Sequence, residues 1–105
     1  MSDVEAAGGD DAEKPAGAAQ RSVTICNKRG LHARAAARFV KLAWQFEAEV
    51  TVRKNGTSVS GRSIMGLMML AAGPGTAIEL SATGPEAERA VAALADLVAG
   101  GFDEG

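Results

Sequence analysis

The sequence predicts a two-layer α+β fold, a single antiparallel sheet covered on one side by helices in the order β-α-β-β-α-β-α. Three observations carry this prediction. Short runs alternate apolar and polar residues with the two-residue period of a half-buried strand, and two longer runs place apolar residues at helical spacing. Between two alternating runs stands Asn55-Gly56, where both residues accept positive φ and can close a hairpin. At 105 residues, 47% apolar and 23% charged, the chain has the size and balance for one domain around one core.

The first twenty residues contain no large apolar side chain beyond Met1 and Val4, too little to offset the entropy of ordering. Residues 1–20 therefore read as a disordered acidic extension, and residues 21–105 as the folded domain. Val23 and Ile25 alternate with Thr24 and Cys26 as the first strand. Lys28-Arg29-Gly30 supplies a basic turn. Residues 33–45 are strong helix formers, with Ala36, Phe39, Val40, Ala43 and Phe46 as the core stripe. On the same helix Arg34, Arg38 and Lys41 fall at i, i+4 and i+7, three cations on one face.

Residues 47–54 alternate again, with Ala48, Val50 and Val52 on one side, and Thr57, Val59 and Gly61 continue beyond the hairpin. Ser63 has the chemistry of a helix N-cap and precedes a short apolar helix over residues 64–72, which Gly73-Pro74-Gly75 ends. A helix of one or two turns needs a single stripe for the core. Leu67 and Leu70 can supply it, which leaves Ile64, Met65 and Met68 as exposed contacts unless the helix is packed on several sides. Ile78, Leu80 and Ala82 mark the fourth strand. Gly84-Pro85 opens the last helix, with proline expected at the first helical position. Ala87, Ala90, Val91, Leu94, Leu97 and Val98 form its stripe, and Gly100-Gly101 stops it.

The formal net charge of −2 hides an asymmetry along the chain. Asp3, Glu5, Asp10, Asp11 and Glu13 are opposed only by Lys14 in the extension, whereas between residues 21 and 62 nine cations face only Glu47 and Glu49. Whatever docks near this basic segment is expected to be acidic. The single cysteine, Cys26, has no partner for an internal disulfide, and a zinc site lacks its second Cys or His. Neither a metal nor a cofactor is called for. No run approaches the roughly 18 apolar residues of a membrane span, and the N-terminus is acidic where a signal peptide is basic. A cytoplasmic location is expected.

His32, the only histidine, stands where the basic turn meets the first helix. A lone histidine in a small domain is more often structural than chemical, but three neighbours alter that balance. Gly30 permits a tight turn, the helix start presents unpaired N–H groups, and Arg34 can donate a charge-assisted bond to a phosphoryl oxygen. Imidazole titrates near neutrality, so a nucleophilic neutral fraction is always available. The chemistry suggested is reversible phosphorylation of a ring nitrogen. No stretch supplies a nucleophile with its base and orienting acid, and Gly73-Pro74-Gly75-Thr76 is neither a Walker loop nor a dinucleotide fingerprint. The histidine is therefore expected to accept a group from one protein and pass it to another.

Gly30-Leu31-His32-Ala33-Arg34 together with Arg62-Ser63-Ile64-Met65-Gly66-Leu67-Met68, with the Asn55-Gly56 hairpin between them, resembles HPr, the histidine-containing phosphocarrier of the phosphoenolpyruvate-dependent phosphotransferase system. The resemblance spans residues 22–101. It implies an open-faced sandwich with a four-stranded antiparallel sheet and three helices on one face, and a monomeric carrier that is not itself an enzyme. It implies further that His32 takes phosphate from enzyme I on Nδ1 and delivers it to an enzyme IIA-type acceptor. Arg34 would support the phosphate, and Arg38, Lys41, Ile64, Met65 and Met68 would form the docking patch. Ser63 matches the family's regulatory serine, the target of an HPr kinase/phosphorylase where one exists, and other regulatory proteins are further candidate partners. The alternative is a regulatory protein of the same fold that acts through Ser63 or docking and leaves His32 unused. Neither nucleic acid nor membrane is an expected partner, since no basic-aromatic interleaving accompanies the cationic stripe. Ala35 stands where the family often has proline and Pro74 where lysine is common, so sugar uptake and a nitrogen-related regulatory branch both remain open.

Overall fold

Apolar residues at every second position drive one face of residues 49–54 and of residues 77–83 into the core, and the two strands beside them complete the sheet. The computed structural model describes residues 17–104. Within them β1 (Ala18–Thr24), β2 (Glu49–Lys54), β3 (Thr57–Ser60) and β4 (Ala77–Thr83) form one antiparallel sheet in the order β1-β4-β2-β3. The register places like with like: Val23 opposes Ile78, Val50 opposes Ala82, and Val52 lies between Leu80 and Val59. All of these are buried or half-buried. The intervening positions face solvent, where Arg53 pairs with Glu79 at 2.9 Å across neighbouring strands.

Helices α1 (Ala33–Ala43), α2 (Ile64–Met69) and α3 (Ala87–Ala99) cover one face, giving the predicted α+β order and layers. Phe39 and Ala43 of α1 and Ala90, Leu94 and Val98 of α3 are fully buried against the sheet residues, while α2 packs beside α1. The Asn55-Gly56 turn forms with φ of 49° and 83°, the left-handed pair that a two-residue hairpin requires.

Several boundaries differ from expectation. The first strand begins at Ala18, inside the stretch read as tail, because Ala18, Ala19 and Gln20 find partners in Thr83, Ala82 and Ser81. A ladder of backbone hydrogen bonds orders residues whose side chains alone would not. The disorder expected for residues 1–16 lies outside the described residues. Ile25 follows the strand rather than ending it, yet it is fully buried and exchanges backbone bonds with Thr76 and Gly75 at 2.9 and 2.8 Å. Pro85 is not the first residue of α3. Glu86 caps that helix, and its N–H donates to Glu47 O at 3.0 Å while its Oε1 accepts the Glu47 N–H at 2.8 Å. These two bonds hold residues 85 and 86 in a turn and delay the helix to Ala87. Beyond the Gly100 stop the chain continues into a short 3-10 turn, Gly101–Asp103, that buries Phe102 completely.

Candidate functional site

The turn before α1 is built around a glycine that no other residue could replace without movement. Gly30 has φ +64°, and a Cβ there would stand 2.3 Å from the carbonyl oxygen of Ala72. The same carbonyl accepts the Leu31 N–H at 3.0 Å, and Leu31 is buried, so the loop is pinned to the segment that follows α2. Asn27 closes the turn from the other side, its Nδ2 donating to Gly30 O at 2.9 Å. His32 then occupies the N-cap of α1 in an extended conformation, and its side chain makes no capping bond. The first helical bond runs from Ala36 N–H to His32 O at 2.8 Å. The N–H groups of Ala33, Arg34 and Ala35 precede it and have no partner within the helix, which gives the helix mouth a positive potential.

The imidazole faces a surface pocket of about 400 Å³ lined by Arg29, His32, Arg34, Arg38, Asp103 and Glu104. Three arginines thus line the same pocket as the ring. The side chain of His32 is 13% exposed, a narrow opening for a ring that two proteins are to reach. Part of the reason is a residue the sequence did not mark. Nε2 of His32 pairs with Oε2 of Glu104, and Oε1 of the same carboxylate accepts from Asn27 Nδ2 at 3.0 Å. The hydrogen bond from His32, followed by that from Asn27, holds the Glu104 carboxyl below the usual glutamate value, against a smaller opposing effect of burial. An ionised carboxylate only accepts, so the proton of this contact sits on Nε2 and a neutral ring leaves its lone pair on Nδ1.

Arg38 is half-buried, and its Nη1 donates to the carbonyl oxygen of Phe102, so it secures the C-terminal segment as well as lining the pocket. Arg34 and Lys41 are exposed on the same helix. The basic region is thus met first by acid from this chain, Asp103 and Glu104, before any docking partner arrives.

On α2, Ser63 is the N-cap, its Oγ accepting the Gly66 N–H at 2.9 Å. Gly66 sits tightly, since a Cβ would lie 3.0 Å from that Oγ and 3.1 Å from Val59 Cβ and either neighbour would have to give by a few tenths of an ångström. Leu67 and Leu70 are buried as the stripe requires, and Ile64, Met65 and Met68 are exposed. Met69, at 78% the most exposed of the group, was not anticipated. Nearby on the chain, the Arg62 guanidinium lies 4.0 Å from the centre of the exposed Trp44 ring.

Sequence reasoning placed Arg29 in the basic turn beside His32 but missed Asn27, Asp103 and Glu104 as neighbours of the ring. The one available signal was Phe102, a large apolar residue placed after a helix stop and before two acids, which only makes sense if the chain turns back to the core.

Comparison with known proteins adds to this geometry. The family model described as "PTS HPr component phosphorylation site" matches residues 19–100. A phosphocarrier protein HPr from Neisseria meningitidis serogroup A is 54% identical over 86 residues, covering 82% of this chain and 97% of that protein. A phosphocarrier protein NPr from Shewanella violacea is 46% identical over 85 residues, 81% of this chain and 93% of that one. Among solved structures, HPr-C-His from Thermoanaerobacter tengcongensis superposes with a TM-score of 0.79 at 41% identity, over 83% of this chain and 98% of that one.

Proposed function

This chain belongs to the HPr family of the phosphotransferase system, and we propose that it carries the phosphoryl group on Nδ1 of His32. A member of this family is a phosphocarrier, a relay protein and not a catalyst in its own right. The observation that carries the assignment to His32 is the pairing of Nε2 with the Glu104 carboxylate beside three arginines. That arrangement leaves Nδ1 as the nitrogen with a free electron pair, next to groups that welcome an anion.

In this reading the carrier works in the cytoplasm as a monomer. It receives phosphate from enzyme I and hands it to an enzyme IIA-type protein. Arg34 and the N–H groups at the start of α1 hold the phosphoryl oxygens while Lys41, Ile64, Met65 and Met68 supply the docking surface, a cation beside an apolar face. Arg38 contributes to the charge of the pocket. Incubation with enzyme I and phosphoenolpyruvate tests this: an acid-labile phosphate is expected on the protein and is expected to vanish in His32→Ala. A phosphate that persists in that variant assigns the carrier role elsewhere.

Ser63 is the proposed regulatory position, with an HPr kinase/phosphorylase as its modifying enzyme where one is encoded. Supporting this is its place at the head of α2, next to the exposed Ile64 and Met65. A phosphate there adds nearly two negative charges beside an apolar docking face, which disfavours partners that bury that face and favours those that present cations.

A further inference from the structure

The family match ends at residue 100, and the contact to His32 comes from the four described residues after it. That segment is placed by three independent ties. Phe102 is fully buried and adopts φ +56°, a left-handed conformation that a phenylalanine holds only when its surroundings demand it. Arg38 donates to the Phe102 carbonyl. Asn27, itself buried and bonded to Gly30 O, donates to Glu104 Oε1 at 3.0 Å. The remaining oxygen, Oε2, meets Nε2 of His32. A carboxylate that merely drifted across the surface would need none of these.

We propose that Glu104 is a positioning residue for phosphoryl transfer: by holding the proton on Nε2, it makes the ring present the Nδ1 lone pair and offsets the positive charge that the ring acquires with the phosphate. The proposal rests on His32 being the carrier. In the loading step the Nδ1 pair forms the N–P bond, and the donor's bond to phosphorus breaks with its electron pair leaving on the donor. The proton on Nε2 stays where it is. Unloading reverses this, with the pair of the N–P bond returning to Nδ1. No proton moves in either direction, so the ring stays ready in both states, much as a carboxylate fixes the tautomer of a histidine in a hydrolase triad. Glu104 lies at Nε2, across the ring from Nδ1, and so leaves the accepting nitrogen unobstructed. Arg29, Arg34 and Arg38 face the same pocket together with Asp103, and their charges keep the added carboxylate from repelling the phosphoryl group.

The test uses the full chain with nitrogen-15 in the imidazole, comparing wild type with Glu104→Ala and Glu104→Gln. The wild type is expected to hold one neutral tautomer, protonated on Nε2. Glu104→Ala should show a mixture of both tautomers and load phosphate from enzyme I about tenfold more slowly, short of the loss seen for a buried triad carboxylate because this one stays near solvent. Glu104→Gln can still accept a hydrogen bond from Nε2–H through its amide oxygen but carries no charge, so it should keep the tautomer while losing part of the rate. An unchanged tautomer ratio in Glu104→Ala overturns the proposal. So does loading as fast as, or faster than, wild type, which would make the contact a cover over the ring. These outcomes are separate from failure of the carrier reading itself, which is an acid-labile phosphate that survives His32→Ala. The tautomer readout is taken on unphosphorylated protein and decides whether Glu104 fixes the ring independently of which residue carries phosphate.

Discussion

Gly30 and Ala72 meet backbone to backbone: the Ala72 carbonyl oxygen lies 2.3 Å from where a Cβ of residue 30 would be, and it accepts the Leu31 N–H at 3.0 Å. The loop that carries His32 is thereby fastened to the loop that follows α2. The two halves of the candidate site share one mechanical anchor.

Gly30→Ala is therefore expected to damage both. The left-handed φ alone costs about 1–2 kcal/mol for a residue with a Cβ, and relief of the overlap with a backbone oxygen must add to it. Urea unfolding should show a midpoint lowered by more than this torsional cost explains, with little change in slope. A midpoint equal to wild type would mean that the turn is not held as described.

Ser63→Ala removes the acceptor of the Gly66 N–H and is expected to cost about 1 kcal/mol of stability. Ser63→Asp keeps an acceptor at the cap, so it should recover most of that stability while slowing phosphate loading from enzyme I. Parallel unfolding curves and loading rates for the two variants separate the cap from the regulatory role. Equal loading by both would leave Ser63 as a cap alone.

Met68→Glu places a charge on an exposed face of α2 and should leave the unfolding free energy within about 0.5 kcal/mol of wild type. Loading by enzyme I is expected to slow about tenfold, the effect of losing one central apolar contact from an interface. Unaltered loading kinetics would remove Met68 from the docking surface.

The Glu104 carboxyl is held low by its bonds from His32 and Asn27, which sets the direction of a pH effect. The contribution of the Glu104 contacts is in force above the ordinary glutamate value of about 4.3 and is lost as pH falls through the lowered folded-state value, while Phe102 and Arg38 go on holding the segment. Carbon-13 titration should place the Glu104 midpoint below the ordinary value in wild type and raise it in His32→Ala, where the largest cause is gone. A midpoint that does not move between the two proteins would show that the His32 contact is not populated in solution.

What the sequence by itself determined is what neighbours within a few positions decide. Alternation in residues 47–54, the stripe from Ala36 to Ala43, the left-handed pair Asn55-Gly56 and the cap at Ser63 all follow from local spacing and local hydrogen bonding, whereas the exposure of Ile64, Met65 and Met68 is left open by spacing and settled by packing. The place of His32 at a helix mouth belongs with the local features, since a glycine turn and a run of alanines suffice to make it. Only the tertiary structure decided where distant segments land. Glu104 reaches a ring 72 positions earlier because Phe102 finds a space in the core that no local pattern describes. Ala18 joins a strand because Thr83 is there to pair with it, and α3 starts late because Glu86 bonds to Glu47. Periodicity tells which face of an element seeks the core; the route of the chain between elements tells which side chains then meet, and that route emerges only when all the apolar faces are buried at once.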